Sequence, residues 1–422
     1  MNKFIFSILF FGLFFFAVDL YFWQALKSNF LISTKHIHWV RWSYWLTSIF
    51  VGIIMFYTLS NFRNPEAPKY LIVVRAFVFS LYIAKMFACF PLLVDDFLRL
   101  LKWIYSWISI PFNDAPSTHK ISRSTFLKNI SFVTGSLAFG ILSWGVFFGR
   151  FNYKKHRIRL QLKKWPIALN GLKIIQISDL HLGSYTSTQP VQDIVALINE
   201  EEADLVFFTG DLVNSNYWEA NEFIPHLNKI KAKYGKYACM GNHDYADYIG
   251  LNKNTPEGLK EWNTNFSEFQ KIHEKIGFTL LLNESKEINI GIASFNLIGV
   301  ENWGAGGFSK YGDLQKAVSG LNPNKCSILL SHDPSHWDAQ VRSFSFPINL
   351  QLSGHTHGMQ FGIELGSFKW SPAKYRYPQW AGLHTKEEKN LYVNRGLGHL
   401  GYAGRVGIYP EITVFNIHSL VS

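Results

Sequence analysis

Between Trp42 and Phe62 the chain runs for 21 residues without an acid, a lysine or an arginine, and it does so again from Asn129 to Gly149. A bilayer core takes about 20 apolar residues in helical form, with every backbone polar group satisfied inside the segment. Phe4 to Leu26 is nearly as apolar, broken by Asp19, and Tyr70 to Val94 is interrupted by Arg75 and Lys85. Charges at membrane depth are costly unless they pair or face the bundle interior, and Asp19 is the acid available to pair. Residues 1–150 are therefore expected to form an all-α transmembrane bundle of about four helices, with three as the competing count. No small-residue cleavage site precedes Tyr21 and Trp23, so the first segment reads as a retained helix.

Charge divides the chain near the same place. Residues 1–170 hold 20 Lys and Arg against 5 Asp and Glu, whereas the remainder holds 21 against 25. Within the basic part, residues 151–170 read as a basic linker. A domain acting on nucleic acid carries positive charge around its site, because phosphate contacts dominate that affinity. The acidic remainder argues against such a partner. The bilayer is the expected partner, and a multi-pass cell-membrane protein the expected outcome. Its orientation is not fixed by charge: with four spans the basic residues divide ten to eight between the two sides. Ser122 to Lys128 resembles a twin-arginine export signal with Ser124 in place of the second arginine, and points the opposite way. Cys89, Cys239 and Cys326 match no disulfide framework or thiol knuckle and read as buried thiols.

From Leu172 the pattern changes to short apolar runs that end in polar clusters. Lys173–Ile177 leads into Asp179 and His181, and Asp204–Phe208 into Gly210-Asp211. Tyr237–Met240 leads into Gly241-Asn242-His243-Asp244, Ser327–Leu330 into Ser331-His332-Asp333, and Ile348–Leu352 into Gly354-His355-Thr356-His357. Runs of four to five apolar residues read as buried strands. Helical patterns at Val191–Glu200, Tyr217–Ala232 and Leu259–Ile276 lie between them. Alternation of strands and helices implies layered α/β packing, with ligands at the carboxyl ends of the strands. Carboxylate, imidazole and amide oxygen suit borderline-hard divalent cations such as Mn, Fe or Zn. One carboxylate in the middle of the set, Asp211, has two oxygens with which to bridge two of them.

These five clusters resemble the calcineurin-like metallophosphoesterases, in particular their membrane-anchored bacterial branch, over about residues 170–417. Leu391–Gly398 and Pro410-Glu411-Ile412 extend the likeness. The resemblance implies a four-layer αββα sandwich over residues 171–422. It implies one metal on Asp179, His181, Asp211 and His357, and a second on Asp211, Asn242, His332 and His355. Two metals about 3.5–4 Å apart lower the pKa of a shared water, which is expected to attack phosphorus in line. His243 is expected to protonate the leaving oxygen and Arg395 to hold a substrate phosphate.

The sequence departs from the branch at three places. Met359 stands where a second glycine is usual, Asn214 where a carboxylate often orients the catalytic histidine, and His399-Leu400 matches no usual pattern. His243 is then expected to take its tautomer from Asp244 or a backbone carbonyl. Relatives include phosphodiesterases, phosphatases and hydrolases of acylated sugar nucleotides in lipid A synthesis. A membrane tether favours a lipid-linked phosphoester, and aromatic residues from Phe368 to Trp380 are candidates to meet acyl chains. The rival reading is a non-catalytic membrane sensor or scaffold with a structural metal site.

Overall fold

A computed structural model describes residues 3–29, 36–61, 67–108, 123–366 and 368–420. It divides into two compact units, Met1–Val146 and Phe147–Ser422. Ser122, and Lys35, Arg63 and Lys120 among the basic residues divided ten to eight above, lie outside the described residues.

The first unit holds helices α1 (Lys3–Asn29), α2 (Ile37–Ser60), α3 (Tyr70–Ile108) and α4 (Arg123–Phe147). Among the described residues, three stretches are long and apolar enough to cross a bilayer: Ile37–Ser60, Tyr70–Tyr105 and Asn129–Phe151. Their polarity is inverted relative to a water-soluble bundle. Trp42, Ile49, Phe50 and Ile53 face outward, while Asp19 and Lys85 are buried. Lys85 and Asp19 form an ion pair, and Asp19 also accepts from the hydroxyls of Tyr44 and Tyr82, each at 3.1 Å. Arg75 donates to the carbonyl of Thr58 at 3.1 Å. The charges that interrupt the apolar runs thus find partners between helices, which removes much of their cost.

The second unit begins with β1 (Lys154–Leu162) and β2 (Leu172–Ile177), then α5 (Gln189–Asn199), β3 (Leu205–Phe208), α6 (Ile224–Leu227) and β4 (Lys236–Ala238). Next come α7 (Pro256–Lys275), β5 (Thr279–Leu280), β6 (Glu284–Ile290), β7 (Ala293–Gly299), α8 (Leu314–Ala317), β8 (Ser327–Leu330) and β9 (Leu350–Ser353). A separate hairpin, β10 (Ile363–Leu365) and β11 (Phe368–Trp370), precedes β12 (Gly382–Lys386), β13 (Lys389–Val393) and β14 (Glu411–Ser419). One six-stranded sheet runs β1-β14-β2-β3-β4-β5 and the other β12-β13-β9-β8-β7-β6.

Side-chain alternation builds four layers. Ile174, Leu205 and Phe207 of the first sheet meet Leu297, Ile328, Leu330 and Leu352 of the second in a central core. The opposite face of the first sheet, with Ile175, Val206 and Phe208, packs on Val191, Ile194 and Ile198 of α5 and Phe269 and Ile272 of α7. The outer face of the second sheet, with Ile298, Leu329 and Leu391, packs on Leu314 and Ala317 of α8. A period of two along each strand therefore serves two cores at once. The expected αββα sandwich is the fold.

Residues 151–170 are not a linker. They contain β1, which pairs in parallel with β14 from Lys154↔Glu411 to Leu162↔Ser419. Leu160 and Leu162 are buried, while Arg157, Arg159 and Gln161 face out, the alternation of an edge strand. Its charges are answered just past the end of helix α5: Lys155 meets Glu200 at 2.8 Å and Arg157 meets Glu201 at 2.7 Å. The helix expected over Tyr217–Ala232 is also shorter, a 3-10 turn at Tyr217–Phe223 followed by α6.

Candidate metal centre

The loops after β2, β3, β4, β8 and β9 converge at the carboxyl ends of the two sheets. They bring together all seven side chains expected to hold metal. Nε2 of His181 lies 3.0 Å from Nε2 of His357 and 3.5 Å from Oδ2 of Asp211. Nε2 of His357 lies 3.2 Å from Oδ1 of Asp179. One donor atom from each of Asp179, His181, Asp211 and His357 falls within 4.8 Å of the others. On the other side of Asp211, its Oδ2 is 3.2 Å from Nε2 of His332. Nδ1 of His355 is 3.3 Å from that same His332 nitrogen and 2.8 Å from Oδ1 of Asn242. One Asp211 oxygen thus faces both groups.

This donor set fits divalent cations. Lone pairs from imidazole and carboxylate converge from several directions, with no thiolate among them. The backbone is shaped to the same end. Asp179, His181, Asp211, His355 and His357 all have φ between 47° and 73°, the left-handed region that L-residues seldom occupy. Gly241 lies so close to Asp211 that a Cβ there would sit 2.2 Å from Oδ1. A glycine at that position is a packing requirement of the carboxylate.

The ring nitrogens turned away from the centre are held in place. Nδ1 of His332 donates to the carbonyl of Thr209 at 2.7 Å, and Nδ1 of His181 meets Oδ1 of Asn214 at 3.1 Å. Nε2 of His355 meets the Tyr377 hydroxyl at 2.8 Å. Such outer partners fix the tautomer of a ligating histidine. Burial disfavours the charged form of His332, yet the Asp211 and Asp179 carboxylates outweigh it and push its pKa up to about 10. Burial and the neighbouring His332 bring His355 down to about 4.

His243 stands beside the centre, its ring centroid 5.0 Å from that of His181, and stacks on Tyr248 at 4.4 Å. The backbone carbonyl of Asn214 holds its Nδ1 at 2.6 Å, while its own N–H donates to Oδ1 of Asp211 at 2.9 Å. The Asp244 carboxylate is not the hydrogen-bond partner of the His243 ring. It accepts from the backbone N–H groups of Asp211, Leu212 and Gly241 at 2.7–2.8 Å and braces the loops. Asn214 therefore serves twice, its side chain on His181 and its carbonyl on His243.

Arg395 departs from expectation. Its guanidinium pairs with Glu411 and with Glu364, each at 2.5 Å, and the side chain is buried. The fork a phosphate would need is taken by two carboxylates, so the residue ties β14 to β10. A cation that does touch the centre is Arg405, which sequence reasoning passed over. It is fully buried, with Nη2 3.3 Å from Nδ1 of His357. It lies in a glycine-rich loop with no motif around it, and the unmatched His399 six residues earlier was the one signal.

A sandwich of two sheets with parallel cores, with an Asp/His/Asn donor set at their carboxyl ends, is the architecture of a metal-dependent hydrolase. Residues 2–150 match a family model described as a probable calcineurin-like phosphoesterase transmembrane domain. Residues 172–359 match that of the calcineurin-like phosphoesterases. The chain is 32% identical over 314 residues to the uncharacterized metallophosphoesterase YkuE of Bacillus subtilis, covering 71% of this chain and 99% of that one. It is 30% identical over 281 residues to the UDP-2,3-diacylglucosamine pyrophosphatase LpxG of Chlamydia trachomatis, covering 57% and 82% respectively. A transmembrane protein with metallophosphoesterase domain from Danio rerio is 30% identical over 266 residues, covering 61% and 55%. The chain belongs to the calcineurin-like metallophosphoesterases.

Proposed function

We propose that this protein hydrolyses a phosphodiester or diphosphate bond of an acylated, membrane-resident substrate, using two divalent cations. The observation that carries the reading is Asp211, whose Oδ2 faces His181 on one side and His332 on the other at 3.5 and 3.2 Å. Asp179, His181, Asp211 and His357 would hold one cation, and Asp211, Asn242, His332 and His355 the second. Mn, Fe or Zn suits these donors. Such a pair supplies an acidified water and neutralises phosphoryl oxygens. His243, oriented by the Asn214 carbonyl, presents Nε2 to the leaving oxygen and gives it a proton. Asn242 turns its amide nitrogen to the Tyr248 hydroxyl at 2.8 Å, which leaves its oxygen for the centre.

Two features support an acylated substrate. The first unit carries membrane-length helices, read here as four spans, which keep the enzyme where lipid substrates reside. The hairpin β10–β11 exposes Ile363, Leu365 and Phe368, and Tyr375 beside it is 77% exposed. Trp380 and Tyr377 of the same aromatic stretch pack inward with Ala373 and Ile408. The stretch is thus divided between structure and a free apolar edge that suits acyl chains. LpxG, by its name, acts on a diacylated sugar nucleotide.

The test uses the full chain in detergent micelles with added Mn. Turnover of UDP-2,3-diacylglucosamine should exceed that of its deacylated counterpart at least tenfold. Equal rates on both would remove the lipid assignment. No turnover of either, nor of bis-p-nitrophenyl phosphate, with both cations bound would favour the scaffold reading.

A further inference from the structure

One buried polar cluster in the catalytic unit lies outside the metal centre and is made of hydrogen-bond donors. Arg405 is fully buried and donates Nε and Nη2 to the carbonyl of Gly398 at 2.9 and 2.6 Å. Arg150, 8% exposed, places Nη1 3.0 Å from Nε2 of His399. A guanidinium only donates, so Nε2 of His399 accepts and the ring proton sits on Nδ1. His399 is within electrostatic range of both arginines and of His357. Tyr153 is within range of both arginines as well.

Four buried atoms here have no hydrogen-bond partner within 3.5 Å among the described residues: Arg150 Nε, Arg405 Nη1, His399 Nδ1 and the Tyr153 hydroxyl, which faces Tyr185 at longer range. Three are N–H donors and the fourth is able to donate. Neither guanidinium is recorded with a carboxylate within 4 Å among the described residues, whereas Arg157, Arg342 and Arg395 of the same unit each have one. Asp179 and Glu411 lie within electrostatic range of Arg405 but pair with it at no atom, and unmet buried donors and unpaired buried cations are costly. Water relieves the donors but not the charge. An acceptor with several oxygens and negative charge relieves both.

We propose that Arg150, Tyr153, His399 and Arg405 form a binding site for a phosphate-type oxyanion, distinct from the metal centre and joined to it through His357. Arg150 and Tyr402 are each 8% exposed while Arg405 and His399 are at 0% and 2%, so Arg150 lies nearer the surface than Arg405. The coupling to His357, which rests on the metal reading above, follows from its partner. His181, His332 and His355 turn their outer nitrogens to acceptors, but His357 meets a guanidinium. An anion oxygen shared with Arg405 gives His357 the acceptor its three counterparts have.

The experiment uses the full chain in micelles, stripped of cations by chelation so that phosphate has no metal to bind. Inorganic phosphate should raise the unfolding temperature by about 5 °C at roughly a hundred times its dissociation constant. Asp211→Asn should keep the shift and Arg405→Gln lose it. Should Arg405→Gln fail to fold, Arg150→Gln and Tyr153→Phe carry the test, each weakening phosphate about tenfold or more. Nanodiscs of phosphatidylcholine with and without phosphatidic acid separate the sources. A shift from phosphatidic acid alone assigns a lipid headgroup, and a shift from free phosphate alone assigns the soluble ion. The same shift in wild type and Arg150→Gln, or none from either source, overturns the site. Calorimetry with Mn should show tighter cation binding in sulfate, which does not precipitate it, and unchanged affinity refutes the coupling to His357.

Discussion

Nδ1 of His243 donates to the carbonyl oxygen of Asn214 at 2.6 Å, and this contact decides which ring nitrogen can reach a substrate. A carbonyl only accepts, so Nδ1 keeps its proton and Nε2 is the working atom. His243→Ala should retain both cations and lose about 10²–10⁴ in rate. The loss should shrink for aryl phosphates, whose leaving groups need no proton. Equal losses across good and poor leaving groups, measured at fixed pH, would take His243 out of the acid role.

Asp211→Asn should abolish turnover and lower bound metal, because the one carboxylate facing both histidine groups loses its charge. Metal analysis after gel filtration reads the first effect independently of activity. Two cations retained with full turnover would contradict the assignment.

His273 should make the catalytic unit acid-sensitive. It is fully buried on α7 against Phe269, with Nδ1 donating to the Phe269 carbonyl at 3.2 Å and no partner for Nε2. Burial brings its pKa down to about 4, against about 6.5 in the unfolded chain. The folded state therefore binds fewer protons between these values. The contribution is fully present above pH 6.5 and is lost as pH falls through 4, about 3 kcal/mol in all. Urea unfolding across that window should show the slope, and His273→Phe should flatten it.

Met359 has φ 49°, where the related branch has glycine, and it is 44% exposed. Its side chain therefore adds little packing to offset a conformation that costs an L-residue about 1–2 kcal/mol. Met359→Gly should stabilise the unit by about 1 kcal/mol, less some unfolded-state entropy. A drop in denaturation midpoint would show that the side chain packs more usefully than its exposure implies.

A fragment beginning at Phe148 should be soluble and hydrolyse bis-p-nitrophenyl phosphate, whereas one beginning at Gln161 should aggregate. The second cut removes most of β1 and leaves the edge of β14 unpaired along its length. The full chain should stay in the membrane pellet through high salt and alkaline carbonate. Release by salt alone would mean that it is held by surface charge rather than by spanning helices.

The ligand clusters were legible because each follows a short apolar strand, and Asp-x-His or His-x-His keeps its meaning without long-range context. β1 was not. Its lysines and arginines dominate residues 154–164, and its partner lies some 250 residues away in β14, so nothing local marks it as sheet. Arg395 failed for a related reason: an arginine beside Gly396 and Gly398 reads as a phosphate fork until the fold brings Glu364 and Glu411 to it. Asn214, by contrast, was noticed as a missing carboxylate, and its carbonyl, invisible to a reading of side chains, fills that place.

Five residues of the metal centre hold their backbones in a left-handed turn that glycine would adopt more comfortably. Glycine there would relax the backbone, but it would also empty a largely buried site and strip the loops of contacts such as Asp211 to the His243 N–H and Asp179 to the His355 N–H. The side chains that strain these turns are therefore also what holds the turns against one another.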